Sequence, residues 1–237
     1  MTSRYELNAS QWRKMESILA EILDCRAMRQ NNRRFVNGVC WTLRSGARWC
    51  DLPPRYGKWK IVHQRFLRWA EQGVWEKMFA MLAKERDNEY VMIDSTIIRA
   101  HQQAATSKKN TKNKALGRSR GGLTTKIHLL CDALGNPLRF IITGGEVADC
   151  TQALTLLENH NANYVLADKG YDSNEIVDYI QKNGAIPVIP PKKNRIEQRH
   201  YDKEVYKERH LIECCFSKLK HFRKIATRYE KYCPAPL

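Results

Sequence analysis

Tyr90-Val-Met-Ile-Asp94 is the stretch that decides the fold, because four residues suited to a buried strand end in an aspartate. Tyr164-Val-Leu-Ala-Asp168 has the same pattern further along the chain. Short apolar runs of this kind predict strands inside a sheet. A single aspartate at a strand end is commonly a turn residue or a helix cap. Acids at the ends of two strands that can lie side by side are typical of a site at the rim of an α/β sheet, so Asp94 and Asp168 are candidate site residues.

The residues around these two strands predict a mixed sheet with flanking helices. Residues 124–131 and 138–143 are strand-like, and Gly135-Asn-Pro137 forms a turn between them. The later elements are a helix after Asp149, the strand before Asp168, a helix over 173–182, a strand over 186–189 and a last helix from about 203. This order is that of an α/β domain with a mixed sheet. The ribonuclease H-like fold has the same order, which we assign to residues 90–231.

A third acid lies on the predicted last helix. One polar stripe has the spacing 3, 4 and 7 and consists of Tyr206, Arg209, Glu213 and Lys220. An apolar stripe beside it would face the core and consists of Ile212, Cys215, Leu219 and Phe222. The same pattern describes an ordinary amphipathic helix with an ion pair one turn apart. The stripe alone therefore leaves both interpretations open.

Residues 1–86 have the periodicity of a small all-α domain. Asn8 and Gln11 have the spacing of a capping box at the start of the first helix. A second apolar stripe of Phe35, Val39 and Leu43 predicts another helix, which Gly46 would end. In the third predicted helix the buried face is Trp59, Val62, Phe66 and Trp69. The outer face is Lys60, Gln64 and Arg68. Such a helix after a turn is typical of a helix-turn-helix-like DNA reader, but also of the solvated outside of a helical bundle.

The overall charge indicates a polyanionic partner. Lys and Arg number 41 against 25 Asp and Glu, a formal net charge of +16. A generally basic solvated surface is the alternative. The eight cysteines lack zinc-ligand spacing, and no apolar run approaches the roughly 20 residues that span a bilayer. We expect a cytoplasmic, DNA-associated protein with reduced thiols and no membrane partner.

Residues 107–122 predict a mobile basic loop. The segment is polar, rich in Lys, Arg and Gly, and includes Arg118 and Arg120. It has too little apolar surface to bury. It is either a solvated insertion or an arm that grips DNA phosphates. Its departure from just beyond Asp94 favours the arm.

Several motifs resemble transposases of bacterial insertion sequences. Tyr206-x-x-Arg209-x-x-x-Glu213-x6-Lys220 matches the Y-(2)-R-(3)-E-(6)-K signature of insertion-sequence families four and five. Six further motifs resemble those of family five: VMIDSTIIRAHQ, GRSRGGLTTKIH, DALGNPLRF, VLADKGYDS, IPPKKNR and SGARWCDLPPRYGKW. The resemblance covers roughly residues 5–231. The second and third acids are only 213 − 168 = 45 positions apart, which leaves no room for the large inserted β-domain typical of family four.

The resemblance implies a transposase with an acidic triad and a ribonuclease H-like catalytic domain. Such enzymes cut at terminal inverted repeats and join the 3′ ends to target DNA, using two Mg²⁺ or Mn²⁺ ions. Carried over to this chain, the catalytic metal ligands are Asp94, Asp168 and Glu213. The residues that contact DNA near the cleaved phosphate are Tyr206, Arg209 and Lys220. Double-stranded DNA and a second copy of the chain, on paired ends, are the implied partners.

Residues 232–237 depart from the family pattern. Family chains continue here into another apolar helix, whereas Pro234 and Pro236 cannot propagate one. An atypical tail of this kind suggests a second function, a truncated and inactive DNA-binding regulator of transposition. A structure-selective nuclease of the same fold, without strand joining, is a third. Metal-dependent joining separates the transposase from both alternatives.

Overall fold

The computed structural model describes residues 5–23, 31–105 and 115–229, and the chain forms two units. The first unit comprises residues up to Lys84 together with Lys220–Ala226, and the second comprises Glu85–Leu219 and the residues from Thr227. The helices are α1 Ala9–Ile22, α2 Asn32–Ser45, α3 Trp59–Glu71, α4 Val74–Leu82, α5 Gln102–Ala105, α6 Ala153–Leu157, α7 Asn174–Lys182, α8 Lys203–Lys207, α9 His210–Lys220 and α10 Arg223–Ala226. The strands are β1 Tyr90–Ala100, β2 Gly117–Ser119, β3 Gly122–Cys131, β4 Pro137–Gly144, β5 Tyr164–Leu166, β6 Ile186–Val188 and β7 Thr227–Arg228.

The first unit is all-helical, as its periodicity predicts. The Asn8 side chain accepts a hydrogen bond from the Gln11 backbone N–H at 2.8 Å, and Gln11 Oε1 accepts from the Asn8 N–H at 3.0 Å, which confirms the capping box. Gly46 ends α2 with φ +76°. The buried core of this unit includes Trp12, Leu19, Phe35, Val39, Val62 and Trp69.

Helix α3 departs from its predicted pattern at its first residue. Trp59 is 36% exposed and Ile61 is 61% exposed, whereas Val62 and Trp69 are buried. The spacing of apolar residues gives the direction of a side chain, but not how far the neighbouring helices extend to cover it. The connection before α3 runs from Gly46 to Lys58 and contains two short 3-10 turns, so it is not a tight turn. A DNA-reading role for α3 stays a prediction.

The second unit is built on a mixed sheet. β3 lies antiparallel between β1 on one side and β4 and β2 on the other. β1 pairs in parallel with β5 at its start and with β7 at its end, and β5 pairs in parallel with β6. Three antiparallel strands followed by parallel strands reached through helices form the ribonuclease H-like arrangement, so the predicted fold class is confirmed.

One face of this sheet packs against α9. Met92, Leu129 and Leu166 of the sheet form a buried cluster with Ile212, Cys215 and Phe216 of that helix. Helices α6 and α7 contact β3, β4 and β6 and each other. The apolar stripe predicted for the last helix is therefore buried on the sheet over its first two turns.

Three boundaries differ from the predicted ones, each for a local reason. β1 continues through Asp94 to Ala100, because β3 pairs with it as far as Arg99. Gly117–Ser119 forms β2 on the edge of β3 instead of loop, while the other predicted loop residues from 107 to 114 lie outside the described residues. The last helix is interrupted between α8 and α9, where Arg209 N–H bonds Tyr206 O and Ile212 N–H bonds Arg209 O in the tighter 3-10 pattern.

Gly46→Ala is expected to destabilise the first unit by about 2 kcal/mol or more. A side chain at φ +76° costs about 1–2 kcal/mol, and the added Cβ would lie 2.8 Å from Arg223 Cβ. Gly73→Ala is the matched control, since its φ is +66° but its Cβ would meet nothing nearer than 3.7 Å. All six tryptophans lie in this unit, so denaturant unfolding followed by tryptophan fluorescence measures it selectively. Equal losses of unfolding free energy in the two variants would show that the contact with Arg223 adds nothing to the cost of the positive φ.

Candidate active site

Asp94 and Asp168 occupy equivalent positions on neighbouring parallel strands. Met92 of β1 pairs with Leu166 of β5, and each aspartate lies two residues beyond its member of that pair. Asp94 Oδ1 accepts a hydrogen bond from the Ser95 N–H at 2.8 Å. Asp168 follows β5 and caps a 3-10 turn, with Oδ1 accepting from the Gly170 N–H at 2.7 Å. Asp168 thus lies at the rim, as predicted, whereas Asp94 lies within its strand.

Arg209 joins the first predicted acid to the third. Its Nη1 donates to Asp94 Oδ2 at 2.7 Å, and its Nη2 donates to Glu213 Oε1. The Arg209 side chain is 17% exposed, that of Asp94 is 19% exposed and that of Glu213 is 58% exposed. Residues far apart in the sequence are brought together by one guanidinium group. The predicted Arg209–Glu213 pair is present, and Asp94 is part of the same contact.

The electrostatics of the two aspartates are linked. Burial raises the pKa of Asp94 above its ordinary value, while the Ser95 N–H and Arg209 oppose that shift and the negative charge of Asp168 adds to it. Tyr171 is fully buried, and its hydroxyl has no hydrogen-bond partner among the described residues. Burial, and then the charges of Asp94, Asp149 and Asp168, raise the pKa of Tyr171 well above its ordinary value.

A second polar cluster lies on the opposite face of β1 and was not predicted. Ser95 Oγ and Lys126 Nζ each donate to Asp149 Oδ1 at 2.7 Å, and Lys126 Nζ also donates to Val147 O at 2.6 Å. Lys126 is only 8% exposed. Asp149 begins the 3-10 turn that leads into α6, and its carboxylate is engaged by these two side chains. A lysine within the apolar strand β3 was the signal that could have revealed the cluster.

His128 is a further buried polar residue on β3. Its Nε2 lies 2.8 Å from Thr143 Oγ1, and no residue in the described part of the chain bonds its Nδ1. Burial lowers the pKa of His128 to about 4, so its imidazole is neutral at pH 7. It supports the packing of β3 against β4 and carries no charge toward the acids.

Tyr206 belongs to the surroundings of Arg209. The Arg209 guanidinium lies 5.9 Å from the Tyr206 ring centroid, and the Tyr206 ring packs edge-on against that of Tyr201 at 5.5 Å. Tyr201, Val205 and Tyr206 pack against the cluster beneath α9. Lys220, the exposed last residue of α9, is counted with the first unit.

The other predicted DNA-contacting residues are exposed but distant from Asp94, or lie in the first unit. Arg118 pairs with Leu123, six positions along β3 from the partner of Asp94, which corresponds to about 20 Å. Arg120 is exposed in the adjoining turn. On α3, the exposed polar side chains are those of Lys60, Gln64 and Arg68.

An irregular basic segment after β6 is attached close to Asp168. The buried carboxylate of Asp172, whose side chain is 1% exposed, accepts from Arg195 Nε at 2.6 Å, Arg199 Nη2 at 2.8 Å and the Lys192 N–H at 2.8 Å. Burial alone would raise the pKa of Asp172, but the Arg195 and Lys192 hydrogen bonds outweigh it and hold that pKa below its ordinary value. The quoted motifs included Asp172, Lys192 and Arg195 but not Arg199, and the sequence alone did not indicate what these residues contact.

The three predicted acids have the donor chemistry of a divalent-metal site. Their carboxylate oxygens are hard ligands of the kind that Mg²⁺ and Mn²⁺ prefer. Within residues 5–23, 31–105 and 115–229, no three His, Cys, Asp or Glu side chains are grouped closely enough to form a ready-made metal site. The positive charge between Asp94 and Glu213 is supplied by the Arg209 guanidinium, which forms an ion pair with each of them.

No helix in the described part of the chain has the length and apolar character that crossing a bilayer requires.

Two family descriptions match the two parts of the chain. Residues 85–232 match "Transposase DDE domain", and residues 7–79 match "Putative transposase of IS4/5 family". The first match alone covers more than half of the chain and contains Asp94, Asp168 and Glu213.

Curated relatives agree with these matches. The chain is 42% identical over 111 residues to the putative transposase for insertion sequence element IS6501 of Brucella ovis, covering 46% of this chain and 85% of that protein. It is 33% identical over 119 residues to the putative transposase for insertion sequence element IS402 of Burkholderia cepacia, covering 45% of this chain and 54% of that protein. It is 51% identical over 84 residues to the uncharacterized protein y4sN of Sinorhizobium fredii, covering 35% and 67%.

Similar solved structures include a piggyBac transposase synaptic complex with hairpin DNA and a pre-cleavage Mos1 transpososome. The first has a TM-score of 0.45 at 10% identity and covers 82% of this chain and 49% of that one. The second has a TM-score of 0.31 at 10% identity and covers 81% and 77%. Both scores are below 0.5, so the family assignment rests on the sequence matches. With two family matches in the expected order and a relative covered over most of its length, this chain belongs to the IS4/5 family of DDE transposases.

Proposed function

We propose that this transposase cuts DNA at the terminal inverted repeats of its insertion sequence and joins the 3′ ends to target DNA, with Asp94, Asp168 and Glu213 as catalytic acids. The observation that carries the proposal is the contact of Arg209 with both Asp94 and Glu213 beside the strand that leads to Asp168. The predicted regulator depends on residues 232–237, which lie outside the described residues. No observation favours it over the enzyme.

The same three carboxylates are proposed to hold two Mg²⁺ or Mn²⁺ ions. Their oxygen donors are of the kind that such ions prefer. Two ions about 3.5–4 Å apart stabilise both the attacking and the leaving oxygen of an in-line displacement at phosphorus. Asp168 lies at the rim of the sheet, and with Asp94 and Glu213 it would supply the carboxylate oxygens that hold these ions.

Arg209 is proposed to have two successive partners. In the protein alone it neutralises Asp94 and Glu213. Once those carboxylates hold cations, its planar guanidinium can grip a DNA phosphate through two parallel hydrogen bonds. Tyr206 and Lys220 are proposed to contact DNA near the same phosphate.

Double-stranded DNA is the proposed partner, bound as paired ends by two copies of the chain. The net charge of +16 supports a polyanionic ligand. Away from the cleaved phosphate, the proposed contacts are Lys60, Gln64, Arg68, Arg118 and Arg120.

Asp168→Asn is expected to abolish cleavage and joining while DNA binding is retained, because the substitution removes a metal-ligating charge and leaves the basic surface intact. The assay uses a duplex carrying the element's end, with Mg²⁺ or Mn²⁺, and separates cut from joined strands on a gel. Binding is measured by fluorescence anisotropy. Asp178→Asn, at an exposed position of α7, makes the same change of charge and is the control. Normal cutting by Asp168→Asn would refute its catalytic role.

Gly170→Ala tests the position of the Asp168 carboxylate without changing its charge. The new Cβ would lie 2.8 Å from Asp168 Oδ1, so the carboxylate must move, at little cost because it is the end of a side chain. Because a misplacement of about 1 Å can lower a rate on the order of 100-fold, the shifted carboxylate is expected to lower cleavage by up to about that factor. Thermal unfolding is expected to stay as in the wild type. Gly121→Ala, whose Cβ would meet nothing nearer than 3.8 Å, is the control, and full activity of Gly170→Ala would count against the site.

Arg209→Ala is expected to lower both DNA binding and cleavage but to tighten Mn²⁺ binding to the DNA-free protein. The substitution removes the positive charge that competes for Asp94 and Glu213. Free Mn²⁺ can be followed by electron paramagnetic resonance during titration. Arg209→Lys keeps the charge and is expected to bind Mn²⁺ much as the wild type does. Weaker Mn²⁺ binding in the alanine variant would mean that Arg209 organises the acids instead of competing for them.

A further inference from the structure

We propose that residues 192–199, the basic segment, form a DNA-gripping arm beside the acidic site and that Ile196 at its tip contacts a DNA base. The inference rests on the proposed function, because it takes DNA as the ligand. It adds a binding surface and an apolar contact to a site so far described only by its acids.

Charge is the first argument. The basic segment holds Lys192, Lys193, Arg195 and Arg199 against one acid, Glu197. Both lysines are exposed, and neither arginine is fully buried. Such a concentration of positive charge on one irregular stretch suits contact with consecutive phosphates of a DNA backbone.

The attachment of the segment is the second argument. Arg195, Arg199 and the Lys192 N–H all bond to the buried carboxylate of Asp172, which lies one short turn after Asp168. Arg195 also donates to Asn174 Oδ1 at 2.8 Å. These hydrogen bonds to a buried carboxylate favour one conformation of the segment, because leaving the charge or any of its donors unpaired is costly. The segment is therefore fixed close to one catalytic aspartate.

Its other end leads to the remaining acids. Tyr201 packs edge-on against Tyr206 at 5.5 Å, and Arg209 lies 5.9 Å from the Tyr206 ring. Arg209 in turn contacts Asp94 and Glu213. The basic segment thus runs from the surroundings of Asp168 to those of Asp94 and Glu213.

Ile196 is the third argument. It is 101% exposed, compared with 55% for Ile186 and 46% for Ile97. Single exposed apolar residues are common on protein surfaces. Here, however, Ile196 lies in the sequence between the two arginines that bond Asp172. The Gln198 amide also donates to Lys192 O at 3.2 Å and to Arg195 O at 3.0 Å. An apolar side chain presented on a fixed basic loop has the form of the wedges that insert between DNA bases.

The phosphate contacts are tested by the salt dependence of DNA binding. The full chain is titrated against a fluorescent DNA duplex in EDTA between about 50 and 200 mM NaCl. Lys193→Ala is expected to reduce the slope of log affinity against log salt by about 0.9, which corresponds to the counterions released by one phosphate contact. Lys182→Ala removes an exposed lysine of the same unit at the end of α7 and is expected to leave the slope unchanged.

The base contact is tested by photocrosslinking. p-Benzoylphenylalanine in place of Ile196 is expected to crosslink to the DNA, with the products mapping to bases. The same residue in place of Ile186, an exposed isoleucine on β6, is expected to give none. Circular dichroism and unfolding of each variant check that the second unit is folded.

The outcomes separate this inference from the proposed function. If the wild type binds DNA and cuts it with metal, but Lys193→Ala keeps the full slope and position 196 does not crosslink, the basic segment is not an arm and the transposase proposal stands. Crosslinking to bases with an unchanged slope would overturn the phosphate contacts alone. If the wild type shows no salt-dependent binding to DNA, the proposed function and this inference both fail.

Discussion

The parallel pairing of β1 with β5 is the constraint on which the acidic site depends. Met92 and Leu166 are paired and fully buried, so Asp94 and Asp168 lie at equal distances beyond a fixed register. Successive side chains of a strand alternate between faces, and a slip of one residue would turn Asp94 away from α9. The apolar residues before each aspartate therefore set the position of the carboxylates as well as filling the core. Loss of that packing would disperse the site before any catalytic residue was changed.

Like charges gathered at one sheet edge need a cation, and Arg209 supplies it in this protein. Burial and the charge of Asp168 both raise the pKa of Asp94, while Arg209 opposes that shift. A planar guanidinium can bond two carboxylates at once, which a lysine ammonium does with less geometric definition. The interruption between α8 and α9 places Arg209 in the 3-10 turn that precedes α9, one turn before Glu213. The interruption of the helix therefore positions the residue that balances the charges of Asp94 and Glu213.

Local signals predicted much of this fold. The Asn8 capping box, the Gly46 helix end and the helix after Ser173 are each encoded by a few neighbouring residues. The family resemblance also grouped Asp94 and Glu213 as acids of one predicted site, but it did not indicate that both contact Arg209. Their shared contact with Arg209 spans more than 100 positions, and no local periodicity reports on it. Lys126 and Asp149 were missed for the same reason, since their partners come from different strands and turns. The continuation of β1 past Asp94 depends on β3, which pairs with it to Arg99.

β1 is held on both faces at the point where the acids meet. Asp94 faces α9 and bonds Arg209, whereas its neighbour Ser95 faces the other way and bonds Asp149, which Lys126 also holds. Because adjacent strand residues alternate, any displacement of β1 that relaxed one contact would strain the other. The buried lysine would then lose its carboxylate, which is costly in a poorly solvated position. Lys126 and Asp149 therefore hold the side chain of Ser95 and, through it, limit the displacement of β1 at Asp94.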